Sequence, residues 1–397
     1  MTRMMRSSGI SWQILVVVFA LRGVAFAQER SANEVLSFLL TTQSVANTDF
    51  IRDRQASEAT HDTLVRALLV EMATIPLTTS SGGFNYKFNP SLGTVDRVTQ
   101  GFGPFFVDRA ATTGRGRVSL SATYRYAQFV TLDERDLRDG SLITSSNKFR
   151  DEGAPFDFEA LNLDVQTSTV TFFGTYGLTD EIDVGVGVPV VHLRLSGERT
   201  NVYRGASIVQ ARGRASYIGM ADIPIRLKVH FDRVSGWDLA TNFELRLPTG
   251  SRDNLNGSGR YALTTAVIAS TGEGPLEAHA NAAFTIGGAS VQAVGGAAVA
   301  ATLMNRVTVS AETLVRWIDH LRGIREVAEP HPSISGVDTI RLLPGSRSGA
   351  LVAVVPGIRW NITSTWLVNS HVVVPITSGG LLAHPIPAIS LDYSFER

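Results

Sequence analysis

The chain has 397 residues, 44% hydrophobic and 18% charged, with 36 glycines. So little charge and so much glycine count against long helical bundles and favour an all-β fold. A formal net charge of zero gives no bulk attraction to nucleic acid, and the absence of cysteine excludes disulfides, thiolate chemistry and Cys-ligated zinc.

At the amino end, Arg3 and Arg6 precede the apolar run Ile14–Leu21, and Ala25-Phe26-Ala27 forms a small-residue cleavage site before Gln28. This pattern predicts a secretory signal peptide over residues 1–27. The apolar run is too short for a bilayer, which needs ~20 residues. Residues 28–115 read as a separate mixed segment. Helices are expected at Glu34–Leu40 and Ala56–Ala73, the second with Leu64, Val65, Leu68, Leu69 and Met72 on one face and Pro76 beyond its end. Phe84, Tyr86 and Phe88 then alternate before the turn residues Asn89–Gly93, the signature of a hairpin. This segment sits beneath a barrel in the periplasm, plugs it, or caps it without any gating role; the cap is the simplest of the three.

From Gly116 onward the pattern changes to period two. Val118, Leu120, Ala122, Tyr124 and Tyr126 fall on one parity; Ser119, Ser121, Thr123 and Arg125 fall on the other. The same alternation returns at Leu161–Gln166, blurring after Ser168, and at Ile182–Val190, Ile223–Phe231 and Trp237–Leu247. It continues, more weakly, through Tyr261–Ala269. Ala282–Met304 carries no charge and is long enough for a membrane helix. However, Leu276–Ile286 alternates with Glu277, His279 and Asn281, and Gly287-Gly288 marks a turn, so two strands fit better. Val307–Trp317, Ala350–Trp360, Trp366–Val374 and Ile386–Phe395 complete about twelve strands in all.

Most of these strands approach the ~9–11 residues that a tilted membrane-crossing strand needs. A closed antiparallel barrel also satisfies every backbone N–H and C=O in lipid. The links alternate between short turns, such as Gly177–Glu181, Asp232–Gly236 and Thr271–Pro275, and long ones, such as Leu132–Ala160, Ser196–Ser216 and Ile318–Gly349. The link at Gly287-Gly288 breaks that rule. Tyr124, Tyr126, Trp237, Tyr261, Trp317, Trp360, Trp366 and Tyr393 include candidates for interfacial girdles. The expectation is a transmembrane antiparallel β-barrel over residues 116–397 in the outer membrane of a Gram-negative-type bacterium, with lipid on its apolar face. A soluble barrel or sandwich shares the periodicity with its faces exchanged.

The polar parity supplies the candidate lumen lining: Arg125, Asp164, Arg226, Lys228, His230, Glu244, Arg246, Glu277, His279, Glu312 and Arg316. Mixed signs point to cross-strand ion pairs that fill the interior. Twelve strands make a narrower pore than an open porin, which favours selective passage of a small solute over general diffusion. The chain shows no G-x-S-x-G, H-E-x-x-H, P-loop or G-x-G-x-x-G. No catalytic residue, metal site or cofactor is therefore assigned, and oligomeric state is not legible. The stretch Asp133–Glu159 holds eight acidic against four basic residues, a net charge of −4, without calcium-motif spacing, and reads as a solvated loop.

Several stretches resemble the outer-membrane transporter family named for the meta-pathway of phenol degradation. They are "SSGGFNYKFNPSLG" at Ser80–Gly93, "GFGPFFVDRAATTGRGRVSLSATYRY" at Gly101–Tyr126, "YGLTDEIDVGVGVPVV" at Tyr176–Val191, "GMADIPIRLKVHF" at Gly219–Phe231 and "LRLPTGSRDNLNGSG" at Leu245–Gly259. The resemblance implies an outer-membrane barrel and, through the family's name, uptake of aromatic or hydrophobic compounds. A structural or partner-binding barrel and, further off, an outer-membrane hydrolase are the competing readings.

Overall fold

The computed structural model describes residues 30–41, 48–73, 86–89, 94–97, 101–273, 275–304, 306–319, 322–331, 333–346, 350–363 and 365–396. The expected signal peptide and most of the Asn89–Gly93 turn lie outside them. Twelve antiparallel strands close into a barrel. They are β1 (Arg117–Leu132), β2 (Asp157–Gly177), β3 (Ile182–Tyr203), β4 (Ile223–Val234), β5 (Trp237–Leu247), β6 (Ala262–Glu273), β7 (Leu276–Gly287), β8 (Gln292–Leu303), β9 (Val307–Ile318), β10 (Ala350–Asn361), β11 (Trp366–Pro375) and β12 (Ile386–Glu396). The ring closes where β12 pairs with β1, from Ala388 opposite Arg125 to Glu396 opposite Arg117. The uncharged stretch 282–304 is two strands, joined through Gly287 and Gly288, both at positive φ that glycine adopts without strain.

The greasy row of each strand faces outward. Phe172 is 55% exposed, Val267 60% and Ile389 53%, whereas Lys228 and Glu312 on the alternate row are 1% and 2% exposed. A soluble barrel would show the reverse, so the exposed apolar belt identifies a lipid-facing wall. Aromatic residues ring its turn end. Trp366 and Tyr393 lie 4.6 Å apart between ring centroids, Tyr393 and Phe395 lie 5.4 Å apart, and Trp360 and Trp237 are exposed at the same end of their strands. Among the described residues no helix is long and apolar enough to cross a membrane.

The wall is uneven in height. β2 and β3 have 21 and 22 residues, against 10 to 12 for β4 to β12. Part of what the sequence suggests is a long link at Ser196–Ser216 is strand: β3 runs to Tyr203, turns through Arg204 and Gly205 at positive φ, and returns as Ala206–Met220 before β4. The other long links carry strands as well. Leu142–Phe149 pairs with β2, Val337–Ser346 pairs with Leu142–Phe149, and Arg322–Pro330 pairs with Val337–Ser346.

In this upper part the faces exchange. On β3 the outward row reads Val186, Val188, Val190 and then His192, Arg194, Ser196. The inward row changes from Asp183 to Leu193 and Leu195, each 1% exposed. Below the change the strand separates lipid from a polar lumen; above it, water from a hydrophobic core. That core is supplied by two helices, α1 (Ala32–Thr41) and α2 (Thr48–Ala73). The α1 helix begins with a reciprocal cap in which Ser31 and Glu34 each accept the other's backbone N–H, at 3.2 and 2.8 Å respectively. Leu36, Leu39, Leu64 and Leu68 pack with Leu163, Leu195, Ala211, Ala215 and Leu342.

This exchange sets opposite tolerances along one outward row. Val186→Arg places a charge on the lipid face and is expected to cost about 2–4 kcal/mol. Ser196→Arg, beyond the belt on the same row, is expected to change stability by less than about 0.5 kcal/mol. Urea unfolding in lipid vesicles, followed by tryptophan fluorescence, measures both.

Candidate functional site

The lumen is the candidate site. Strand parity points ten of the sequence-derived lining residues into it: Arg125, Arg226, Lys228, His230, Glu244, Arg246, Glu277, His279, Glu312 and Arg316. Asp164 is a correction. It lies on β2 above the exchange of faces, where the polar row is outermost, and its carboxylate accepts from Gln128 and Gln166 at 3.2 and 2.9 Å.

The inward residues form two sets. The lower set holds residues 101–113, which arch across the turn end of the lumen. The Glu312 carboxylate accepts the backbone N–H groups of Phe105, Phe106 and Val107, the last two at 2.8 and 2.9 Å. Glu277 accepts from the Gly101 N–H at 3.1 Å. Lys228 Nζ donates to the Ala111 carbonyl at 2.9 Å and lies 3.5 Å from Asp108. Asp183 on β3 accepts from both the N–H and the hydroxyl of Thr113, at 2.7 and 3.0 Å. Arg359 donates to the Pro104 carbonyl at 2.5 Å and lies 3.6 Å from Asp392. These bonds leave buried charges matched to backbone dipoles, the condition under which burying them is tolerable.

Above this arch lies a cavity of about 330 Å³, between Phe106 of the arch and Glu71 of α2. Its wall combines Arg125, Arg226, Glu244, Arg246 and Arg316 with apolar side chains such as Phe129, Leu314 and Leu351. Glu244 bridges two arginines, 2.6 Å from Arg226 Nε and 2.7 Å from Arg246 Nε. Arg316 pairs with Glu71. Asp222, also on the wall, accepts the Gly250 and Ser258 N–H groups at 3.0 and 2.8 Å.

That last pair closes the loop Pro248–Arg260 over the lumen mouth. Gly250 and Gly257 meet backbone to backbone, and a Cβ on either would strike the other's chain segment. Leu255 is fully buried in the helix core, and the Asp253 carbonyl accepts the Asn33 N–H at 2.9 Å. The "PTGSRDNLNGSG" stretch is thus a folded cover.

A serine–histidine–carboxylate row does occur. His279 Nδ1 lies 2.9 Å from the Ser270 hydroxyl, and its Nε2 lies 3.5 Å from Glu277. The Ala110 amide occupies the hydroxyl oxygen at 2.9 Å, and none of the three residues lines the cavity, so the row serves to hold the arch. The acidic stretch is largely tied into the loop fold: Asp133 accepts from the Gly380 and Ile324 N–H groups, and Asp139 from Ser141. Among the described residues, no cluster of three or more His, Asp or Glu side chains is placed to hold a metal ion.

Sequence reading missed Asp183, Arg359, Asp392, Asp222 and Glu71. The first four are lone polar residues among apolar or glycine neighbours near strand ends, a signal available but weak. Glu71 sits on a helix whose partner is a barrel strand, which no spacing announces.

The closed ring, the lipid-facing belt and the charged interior define a transmembrane β-barrel whose lumen is occupied by its own amino-terminal segment. No family model and no curated protein matches the chain. Among solved structures it is similar to an outer membrane channel from Pseudomonas putida F1, at 10% identity and a TM-score of 0.46, over 72% of this chain and 98% of that one. It is also similar to the KdgM porin, at 7% identity and a TM-score of 0.36, over 70% and 99% of the two chains. The toluene transporter TbuX of Ralstonia pickettii matches at 10% identity and a TM-score of 0.26, over 71% and 90%.

Proposed function

We propose that the chain is a passive, selective outer-membrane transporter for a small, largely apolar molecule, with residues 101–113 and the α1–α2 pair restricting its lumen. The observation that carries this reading is the cavity of about 330 Å³ enclosed by the barrel wall between the arch and α2. Its size falls at the lower end of small-molecule sites, and its wall is mostly apolar with a few convergent charges. The stretches resembling the meta-pathway transporters support the same reading, since three of them form the arch with β1, the β3 wall and the Pro248–Arg260 cover.

Uptake by proteoliposomes carrying the full chain tests it. Phenyl β-D-glucoside is expected to enter with saturable kinetics, while a disaccharide without an apolar group stays outside. Proteoliposomes that admit no phenyl solute of any charge, from protein shown to be folded by heat-modifiable gel migration, would remove the transport reading.

A further inference from the structure

The cavity wall carries an imbalance of charge that goes beyond general apolar selectivity. Four arginines line it, Arg125, Arg226, Arg246 and Arg316, against the three carboxylates Glu71, Glu244 and Asp222. Each of those carboxylates is already engaged. Glu244 holds Arg226 and Arg246, Glu71 holds Arg316, and Asp222 holds the backbone of the cover loop. Arg125 makes no hydrogen bond or ion pair among the described residues. It projects from β1 at the level of Ala388, beside the apolar surface of Ala127 and Phe129.

We propose that this cavity takes an amphiphilic anion, a small apolar or aromatic body bearing one carboxylate or sulfonate, and that Arg125 is the group that receives the anion. The inference rests on the transport reading above and names its substrate class. A guanidinium presents a planar fork matched to two oxygens of such a group. In a low-dielectric enclosure a cation that shares the attraction of Glu71 with Arg316 and has no hydrogen-bonded carboxylate of its own is costly, and an anionic solute relieves that cost when it enters. Phe106 and Phe129 offer faces to the apolar body. A cation of the same shape meets Arg125 with no free carboxylate to receive it.

The test uses two permanently charged phenyl solutes that do not cross lipid unaided, benzenesulfonate and trimethylphenylammonium, with phenyl β-D-glucoside as the neutral comparison. Proteoliposomes of the full chain are expected to admit benzenesulfonate about tenfold faster than the ammonium, the lower end of what one-signed charge in a cleft achieves. Arg125→Gln is expected to abolish that preference in protein shown to be folded by heat-modifiable gel migration. Arg125→Lys, which keeps the charge, is expected to retain most of it, which separates charge from any change of fold. Equal rates for the two ions in the unaltered protein overturn the proposal, as does an undiminished preference in Arg125→Gln. Uptake of phenyl glucoside without benzenesulfonate overturns the anion assignment and leaves transport standing. Exclusion of all three solutes overturns both.

Discussion

Glu312→Gln is expected to release the arch and raise the steady conductance of the barrel several-fold. Three consecutive backbone N–H groups converge on this one buried carboxylate. A neutral amide offers a single acceptor oxygen and turns an NH2 donor toward donors that need an acceptor. Each buried donor left unmade costs about 1–3 kcal/mol. The same change strips charge from the neighbourhood of Arg359, which holds the Pro104 carbonyl one residue earlier. Single-channel recording in planar bilayers reads the outcome directly. Traces indistinguishable from the unaltered protein, with folding intact, would mean that the arch does not limit passage.

The second large effect is expected at Phe105. Its ring is 1% exposed, lies over Gly357, has the Arg359 guanidinium 4.4 Å from its centroid and the His371 ring 4.3 Å away. Phe105→Ala is expected to weaken docking of the arch by about 3–5 kcal/mol, the usual cost of emptying an aromatic site. Gly357→Leu attacks the same contact from the wall, because a Cβ at that position meets the ring. The two substitutions are expected to be non-additive, since each removes what the other needs. Maleimide labelling of Val107→Cys in lipid vesicles gives the measurement: slow in the parent, fast in either variant, no faster in the double. Additive effects would place Phe105 elsewhere in the energetics.

The barrel was legible because lipid on one side and a polar lumen on the other impose period two over every stave, as at Ile182–Val190. The sequence reading failed where that arrangement of media ended. Leu161, Leu163 and Val165 alternate as cleanly as Val184, Val186 and Val188, yet face inward, because above the belt the apolar neighbour is a helix and not lipid. Periodicity reports contrast between two faces and is silent on which medium wets which, so it places Asp164 on the lumen side where the structure has it facing outward. The part of Ala206–Met220 up to Ser216 reads as link for a related reason. Ala211, Gly213 and Ala215 are small enough to admit α1, and Arg212, Arg214 and Ser216 face water, so neither row is strongly apolar.

The lumen candidates were found by parity alone, but their partners were not. Glu312, Glu277 and Lys228 could be placed on the inward row from spacing. Their partners in the arch are mainly backbone groups of Gly101–Ala111, and backbone donors leave no mark in a sequence. The Asp108-Arg109 pair, charged within an otherwise apolar and glycine-rich run, was the one hint that this run meets charge.

The seam between β1 and β12 joins the first stave of the ring to the last. Residues 101–113 precede both in the chain and lie within the finished hoop. The thread runs directly into the first stave at Arg117, so it stays tethered at the seam whether it is docked or released. An occupant held on so short a leash returns to its seat at high effective concentration, without a search through bulk water.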